Sequence, residues 1–326
     1  MKDGDYTPPC VGVFMCTYNH ENYIETAIES VMMQVGDFSY RLFIGEDCST
    51  DLTREICLKM KQKYPDKIDL TLYEKNVGGG LNTINLFAKI IDSGVKYIAM
   101  LDGDDYWVDM EKLKKQVAIL ENDRGISICF TDSKILNDKT KEFSTRVYDN
   151  KREARINFDT FIEKGSLYVT CSALFRTVAI PGRFPDWFLT SLKQDWTIFV
   201  MALDTGDAYY LPEITAVYRI HGASLMRTTK HILLEENSAL LIENLLAYFA
   251  PRHQPVLGTA LTWSYYHVAF FYWNEFKLRG FFKYISKATQ AGERKTIGWY
   301  WLVIKEMSKA WLKKPYHKIK GIFRIR

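Results

Sequence analysis

"CVGVFMCTYNHENYIETAIESVMMQ", residues 10–34, changes its hydrophobic rhythm part-way along. Residues 10–16 are a short apolar run with valine at two positions, the composition of a buried strand. From Asn22 to Gln34 the apolar residues fall at Ile24, Ala27, Ile28, Val31 and Met32. That i, i+3, i+4, i+7, i+8 spacing predicts a helix with one buried face. Between the two halves lies a polar turn beginning Thr17-Tyr18-Asn19. A strand, a polar turn and a helix make one half of a strand–helix–strand unit.

The same alternation repeats downstream. "YRLFIGE" (40–46) predicts a second strand, and residues 50–64 a second helix opening on an "STD" cap signal. "IDLTLYE" (68–74) predicts a third strand, and residues 81–91 a third helix after the glycine run 78–80. "KYIAML" (96–101) predicts a fourth strand, followed by a helix near 110–120 and the strand "ISICFT" (126–131). This order predicts an α/β fold: a Rossmann-like, mostly parallel sheet with helices on both faces. Later segments are less regular. "YVTCSALFR" (168–176) reads as a strand, 191–203 as a helix and 208–222 as extended chain. From about residue 228 the sequence turns helical and aromatic, a C-terminal helical appendage. The predicted division is therefore 1–227, with a first half at about 9–131 and a second at about 132–227, followed by 228–326.

Bulk composition narrows the class. The chain has 326 residues, 47% hydrophobic and 25% charged, with a formal net charge of +4. That suits a globular protein with a large core and gives no nucleic-acid signal. The six cysteines are scattered and none forms a CxxC pair, which reads as reduced thiols in a cytoplasmic protein. The first residues, with acids and prolines, lack the apolar stretch of an export signal. Residues 256–273 carry no Asp, Glu, Lys or Arg, yet their Thr, Ser, Tyr and His favour a buried or interfacial helix over a membrane span. From Lys309 to Arg326 there are seven basic residues and no acidic one, a composition suited to an anionic membrane surface.

In a parallel sheet, ligands bind outside the carboxyl ends of the strands. Four successive predicted strands end in polar residues: Thr17, Tyr18 and Asn19; Glu46 and Asp47; Asn76 and Gly78; and Asp102, Asp104 and Asp105. The aspartates of "LDGDDYW" would repel one another unless a cation sat among them. Hard divalent ions accept such carboxylate oxygens. Acidic turns also end strands without binding anything, so the cluster alone admits both readings. "QDW" puts Asp195 at the start of an apolar helix, where a partly desolvated carboxylate can act as a general base. "VYRIHGAS" puts Arg219 and His221 on one side of an extended segment, suited to a diphosphate or a metal.

Together and in this order, these pieces resemble the family 2 inverting glycosyltransferases of bacterial polysaccharide assembly, which have the glycosyltransferase A fold. The resemblance covers about residues 9–225. "FIGEDCSTDLT" is similar to a V-D-D-G-S-T-D-x-T motif, "NVGGGLN" to N-x-G-x-x-x-N, and "LDGDDYW" to the metal-binding D-x-D region. "QDW" is similar to an E-D motif whose Asp is the catalytic base, and "YRIHGAS" matches Y-R-x-H-x-x-S. Glu46, Cys48 and Gln194 depart from the pattern.

The resemblance implies transfer of a sugar from a nucleotide-diphosphate sugar, a UDP-sugar above all, to a saccharide or lipid-linked saccharide. Mn2+ or Mg2+ would be the cofactor. Thr17, Tyr18 and Asp47 would hold the base and Asp102 the ribose. Asn19, Glu46, Asn76, Gly78, Asn82 and Arg219 would complete the donor site. Asp104 or Asp105 would bind the metal with His221, and Asp195 would be the base. The expected location is cytoplasmic and peripheral on the inner face of the cell membrane. A nucleotidyltransferase fits less well, because "CTYNHENY" is not the glycine- and arginine-rich loop such enzymes place after their first strand. A non-catalytic carbohydrate-binding protein of the same fold is the remaining alternative.

Overall fold

The computed structural model describes residues 10–146, 154–164, 168–222 and 229–291. The chain divides between residues 228 and 229 into two compact units. In the first, strand β1 (Val11–Thr17) is central to a parallel block with β2 (Tyr40–Glu46), β3 (Ile68–Leu72) and β4 (Tyr97–Met100). Thr17, Glu46 and Leu72 share one register line, so these strands finish at a common rim. Helices α1 (Ile24–Met32), α2 (Thr53–Lys63) and α3 (Gly79–Asp92) connect them.

Alternation of side chains along β1 decides which helix lies where. Val11, Val13 and Met15 join one core with Ile24, Ala27, Ile28 and Val31 of α1 and Cys57 and Met60 of α2. Phe14 points the other way and meets Phe87 of α3, with ring centroids 4.8 Å apart. Helices therefore cover both faces, and the strands read as continuous apolar runs.

The second half of the sheet is mixed. The order is β3-β2-β1-β4-β9-β6-β10-β5. The short β9 (Leu174–Arg176) runs antiparallel to both β4 and β6 (Ile126–Asn137). β6 and β10 (Asp207–Ile220) are parallel. β5 (Tyr106–Trp107) pairs antiparallel with Ala216 and Val217 of β10. β7 (Glu142–Arg146) folds back on β6, and β8 (Ala154–Ile156) on β10. Helices α4 (Lys112–Asn122), α5 (Phe158–Lys164) and α6 (Gln194–Ala202) complete the unit.

One expectation needs correcting. Residues 168–176 are not one strand. Thr170–Ser172 form a 3₁₀ turn, and only Leu174–Arg176 pair in the sheet. The turn prevails because side chains from β5, α4 and β6 take up two of its carbonyl groups, as described below.

The second unit contains helices α7 (His231–Tyr248), α8 (Gln254–Asn274) and α9 (Leu278–Ala291). Tyr272 and Tyr284 both donate to Glu236 Oε1, at 2.9 and 2.8 Å. Lys287 donates to Glu243 Oε1 at 2.9 Å. The uncharged stretch 256–273 lies within α8 and buries Leu257, Leu261, Tyr265 and Val268. No helix among the described residues is long and apolar enough to cross a membrane. The basic run 309–326 lies outside the described residues.

Candidate active site

The rim is organised first by Asp47, just beyond β2. Its Oδ1 accepts the Val77 N–H at 2.7 Å and its Oδ2 the Gly78 N–H at 3.0 Å. Asn76 Nδ2 donates to the Asp47 carbonyl at 3.2 Å. The loop before α3 is thus tied to the end of β2. Gly78 has φ +85°, a left-handed conformation that favours glycine, as α3 begins. Asn82 in the first turn of α3 donates Nδ2 to Gly45 O at 2.9 Å, while its buried Oδ1 has no partner among the described residues.

Glu46 lies on the same register line yet turns inward, as adjacent residues of a strand must. It is fully buried. Its Oε2 accepts Arg54 Nε at 2.5 Å and its Oε1 the Ser49 N–H at 2.6 Å. One oxygen holds the loop after β2 and the other the start of α2. Asn19 is in the left-handed region at φ 54° and accepts the Thr50 N–H at 2.8 Å. Tyr18 beside it is exposed.

The acidic segment after β4 divides its carboxylates. Asp105 is buried and its Oδ1 accepts the Arg219 N–H at 2.8 Å. Burial and the nearby Asp104 charge push its carboxyl well above the usual range. Asp104 points elsewhere, with Oδ2 2.9 Å from His221 Nε2 and 4.0 Å from His20 Nε2. Burial raises the Asp104 carboxyl, but His221 and His20 outweigh it and hold it below its ordinary value. Burial lowers the His20 imidazole, outweighing the pull of Asp104 and favouring the neutral, ligating form.

His20, Asp104 and His221 thus each offer one ligand atom, all within 4.8 Å of one another. The set brings Asp104 and His221 together as expected from the sequence, leaves Asp105 to the backbone, and adds His20. The donors fit a divalent ion; two imidazole nitrogens beside one carboxylate suit a first-row transition ion better than Mg2+. Thr17 Oγ1 lies 3.2 Å from His20 Nδ1 and fixes the ring. Gly103 makes room for this pair, since a Cβ there would lie 2.7 Å from Thr17 Oγ1 and 3.0 Å from His20 Nδ1. The available sequence signal for His20 was its place in the polar turn after β1, on the same rim as the aspartates.

β5–β10 pairing carries Arg219 and His221 to the aspartates. The Arg219 guanidinium lies between two rings, 4.8 Å from the Tyr23 centroid and 4.7 Å from that of Tyr106. Its Nη1 donates to Asp104 O at 2.8 Å. Tyr23 is held in turn by Asp138, whose Oδ2 accepts its hydroxyl at 3.0 Å.

Asp195 is the second residue of α6. Its Oδ1 accepts the Trp196 N–H at 2.7 Å and its Oδ2 the Thr170 hydroxyl at 2.8 Å. Asp102 feels it: burial, with the charges of Asp104 and Asp195, pushes the Asp102 carboxyl up to about 8. The start of α6 is therefore near enough to the acidic segment for its charge to be felt there. α3 closes against the same helix, because a Cβ on Gly80 would lie 2.6 Å from Gln194 Nε2.

The model of the family "Glycosyl transferase family 2" matches residues 12–181, just over half of the chain. The chain belongs to glycosyl transferase family 2. This family 2 chain is 34% identical over 216 residues to the dTDP-rhamnosyl transferase RfbG of Shigella flexneri, covering 64% of this chain and 71% of that protein. An uncharacterized protein of Mycobacterium tuberculosis is 27% identical over 213 residues. That match takes in 65% of this chain and 59% of the mycobacterial protein, so the chain spans little more than half of that relative. Among solved structures, Staphylococcus aureus TarS 1–349 in complex with UDP-GlcNAc superposes with a TM-score of 0.64 at 17% identity. It covers 86% of this chain and 81% of that one, and shares the fold.

Proposed function

We propose that this chain is an inverting glycosyltransferase that takes a pyrimidine nucleoside diphosphate-sugar, a UDP-sugar above all, and glycosylates a hydroxyl of a saccharide or lipid-linked saccharide. The observation that carries the reading is the set of ligand atoms on His20, Asp104 and His221, within 4.8 Å of one another at the strand-end rim, beside an acidic segment whose Asp102 carboxyl feels the Asp195 charge.

On this reading the exposed Tyr18 ring stacks on the base, and Asp47, with a lone pair left on each oxygen, accepts the base imide N–H. Thr17, Asn19, Asn76, Gly78 and Asn82 shape the pocket, while Glu46 supports it through Arg54. Arg219, stacked between two tyrosines, directs its remaining N–H groups at the diphosphate. His20, Asp104 and His221 would hold Mn2+ in preference to Mg2+. When bound, the ion offsets charge on the leaving diphosphate. Asp195 accepts the proton of the acceptor hydroxyl as that oxygen attacks the anomeric carbon. The bond from that carbon to the phosphate oxygen breaks on the opposite face, so configuration inverts and the nucleoside diphosphate departs.

RfbG is named for a dTDP-sugar, and TarS was solved with UDP-GlcNAc, two donors that share the pyrimidine imide. The division into a catalytic unit at 1–227 and a helical unit at 228–326 belongs to the same proposal. So does a cytoplasmic, membrane-peripheral position through the basic residues 309–326, checked by binding to anionic vesicles at low salt.

The experiment is a thermal-stability screen of UDP-, dTDP- and GDP-sugars with and without Mn2+. A ligand that binds only the native state raises stability by mass action. Stabilisation by a uridine or thymidine diphosphate-sugar that depends on Mn2+ supports the reading. No stabilisation by any nucleotide-sugar contradicts it.

A further inference from the structure

Among the described residues, the Asp195 carboxylate is held from outside its own helix by one side chain, Thr170, at 2.8 Å. Thr170 begins the 3₁₀ turn Thr170–Ser172, and the environment of that turn is unusual. The Thr170 carbonyl accepts the Ala173 N–H at 3.2 Å, and the other two carbonyls are taken by side chains in place of sheet partners. Cys171 O accepts Trp107 Nε1 at 2.9 Å. Ser172 O accepts Gln116 Nε2 at 2.9 Å, with Lys112 Nζ at 3.4 Å and Thr131 Oγ1 at 3.5 Å. Gln116 Nε2 also reaches Cys129 O at 2.8 Å, which fastens the turn to β6. Ser172 Oγ closes the turn on Val169 O at 2.7 Å.

All of these groups are buried. Lys112 in particular is fully buried, with the Trp107 ring centroid 4.8 Å from its Nζ. Placing an ammonium ion in such a site is costly. Here it fixes the carbonyl two residues from Thr170. Trp107, Lys112 and Gln116 follow directly after Asp102–Asp105 in the chain. One short stretch therefore carries the acidic segment and also clamps the turn that holds Asp195.

We propose that Thr170 is a positioning residue for Asp195. Its hydroxyl donates to Oδ2 and, with the Trp196 N–H on Oδ1, fixes the plane of the carboxylate. Each oxygen keeps one lone-pair site, and the fixed plane aims one of them at the acceptor hydroxyl. The clamp made by Trp107, Lys112 and Gln116 transmits the rigidity of the core to that plane. This inference rests on the reading of Asp195 as the general base.

The variants are Thr170→Val, which keeps the shape and removes the donor, and Thr170→Ser, which keeps the donor. Each is compared with Asp195→Asn and the Thr170→Val, Asp195→Asn double variant. Turnover is the release of nucleoside diphosphate from UDP- and dTDP-sugars with water as acceptor, and binding is the affinity for UDP with Mn2+. Thr170→Val lowers kcat by about 10- to 100-fold, the cost of a misaimed catalytic group, with KM and UDP affinity within about twofold. Thr170→Ser restores kcat, and Thr170→Val adds nothing once Asp195 is Asn. A crystal structure of Thr170→Val shows the Asp195 carboxylate turned from its plane.

Turnover by Thr170→Val like that of the wild type, with Asp195→Asn inactive, overturns the positioning role and leaves the base intact. Parallel loss of kcat, UDP affinity and thermal stability overturns it too, as does a failure of Thr170→Ser to rescue. Full turnover by Asp195→Asn, or no turnover by the wild type on any of these donors, overturns the underlying reading and the inference with it.

Discussion

Lys112 offers a quantitative check on the interior that supports the site. Its ammonium is fully buried and faces Gln116 Oε1, the Ser172 carbonyl and an indole ring, with no carboxylate among these contacts. Burial pulls its pKa from 10.5 to about 8. In the unfolded chain the lysine keeps its proton to about 10.4. Between these limits the unfolded state binds more protons than the native state, so raising the pH stabilises the fold. Above the upper limit the benefit is complete, and it is lost as pH falls through about 8. A shift of that size is worth about 3 kcal/mol at about 1.4 kcal/mol per pH unit.

Lys112→Met conserves shape and removes the titration. In urea unfolding followed by tryptophan fluorescence, the wild type gains on the Met variant by about 3 kcal/mol between pH 7 and 10.5. Groups that do not feel the Lys112 charge titrate alike in both proteins and cancel. Burial and the Asp105 charge raise the neighbouring Cys171 thiol well above its ordinary value. A difference that stays flat within about 0.5 kcal/mol would refute the reasoning. It would mean that the local carbonyl dipoles and the Trp107 ring solvate the ammonium as well as water does.

Three further outcomes follow from local geometry. Cys48 has φ +57°, so Cys48→Gly removes about 1 kcal/mol of left-handed strain and raises Tm by a few degrees; a lower Tm in calorimetry contradicts this. Gly103→Ala forces a Cβ to within 2.7 Å of Thr17 Oγ1, costing about 1–3 kcal/mol and weakening Mn2+ binding through His20; unchanged Mn2+ affinity by paramagnetic resonance counts against it. Arg54→Met strands the buried Glu46 carboxylate and costs about 3 kcal/mol in denaturant unfolding, whereas an added Glu46→Gln recovers much of the loss.

The parallel half of the fold was legible because its cause is local. Each strand is an apolar run, each helix keeps a 3.6-residue stripe, and right-handed crossovers leave few ways to assemble them. The rim was legible for the same reason, since Thr17, Asp47, Asn76 and Asp102 lie at strand ends or within four residues of them. What escaped was set by contacts distant in sequence. The 3₁₀ turn at Thr170–Ser172 is chosen by donors from Trp107, Lys112, Gln116 and Thr131, and nothing in "YVTCSALFR" announces them.

Within the acidic segment, spacing alone could not separate Asp104 from Asp105. The choice depends on the Arg219 N–H, 114 residues away, which takes Asp105 inward. Glu46 was legible as a rim residue but not as an inward one, because its partner Arg54 lies eight residues on, at the start of the next helix. His20 was visible in the first quoted stretch, but its significance depends on Asp104 and His221 arriving from β4 and β10.

The most direct measurement of the central claim is made on Asp195→Asn. The variant should bind UDP in the presence of Mn2+ with wild-type affinity by calorimetry. It should lose the release of nucleoside diphosphate from the UDP- or dTDP-sugar donor by a factor of about 100 or more, as expected when a general base is removed. Intact binding with lost turnover is the result this account predicts. Wild-type turnover by Asp195→Asn would contradict it.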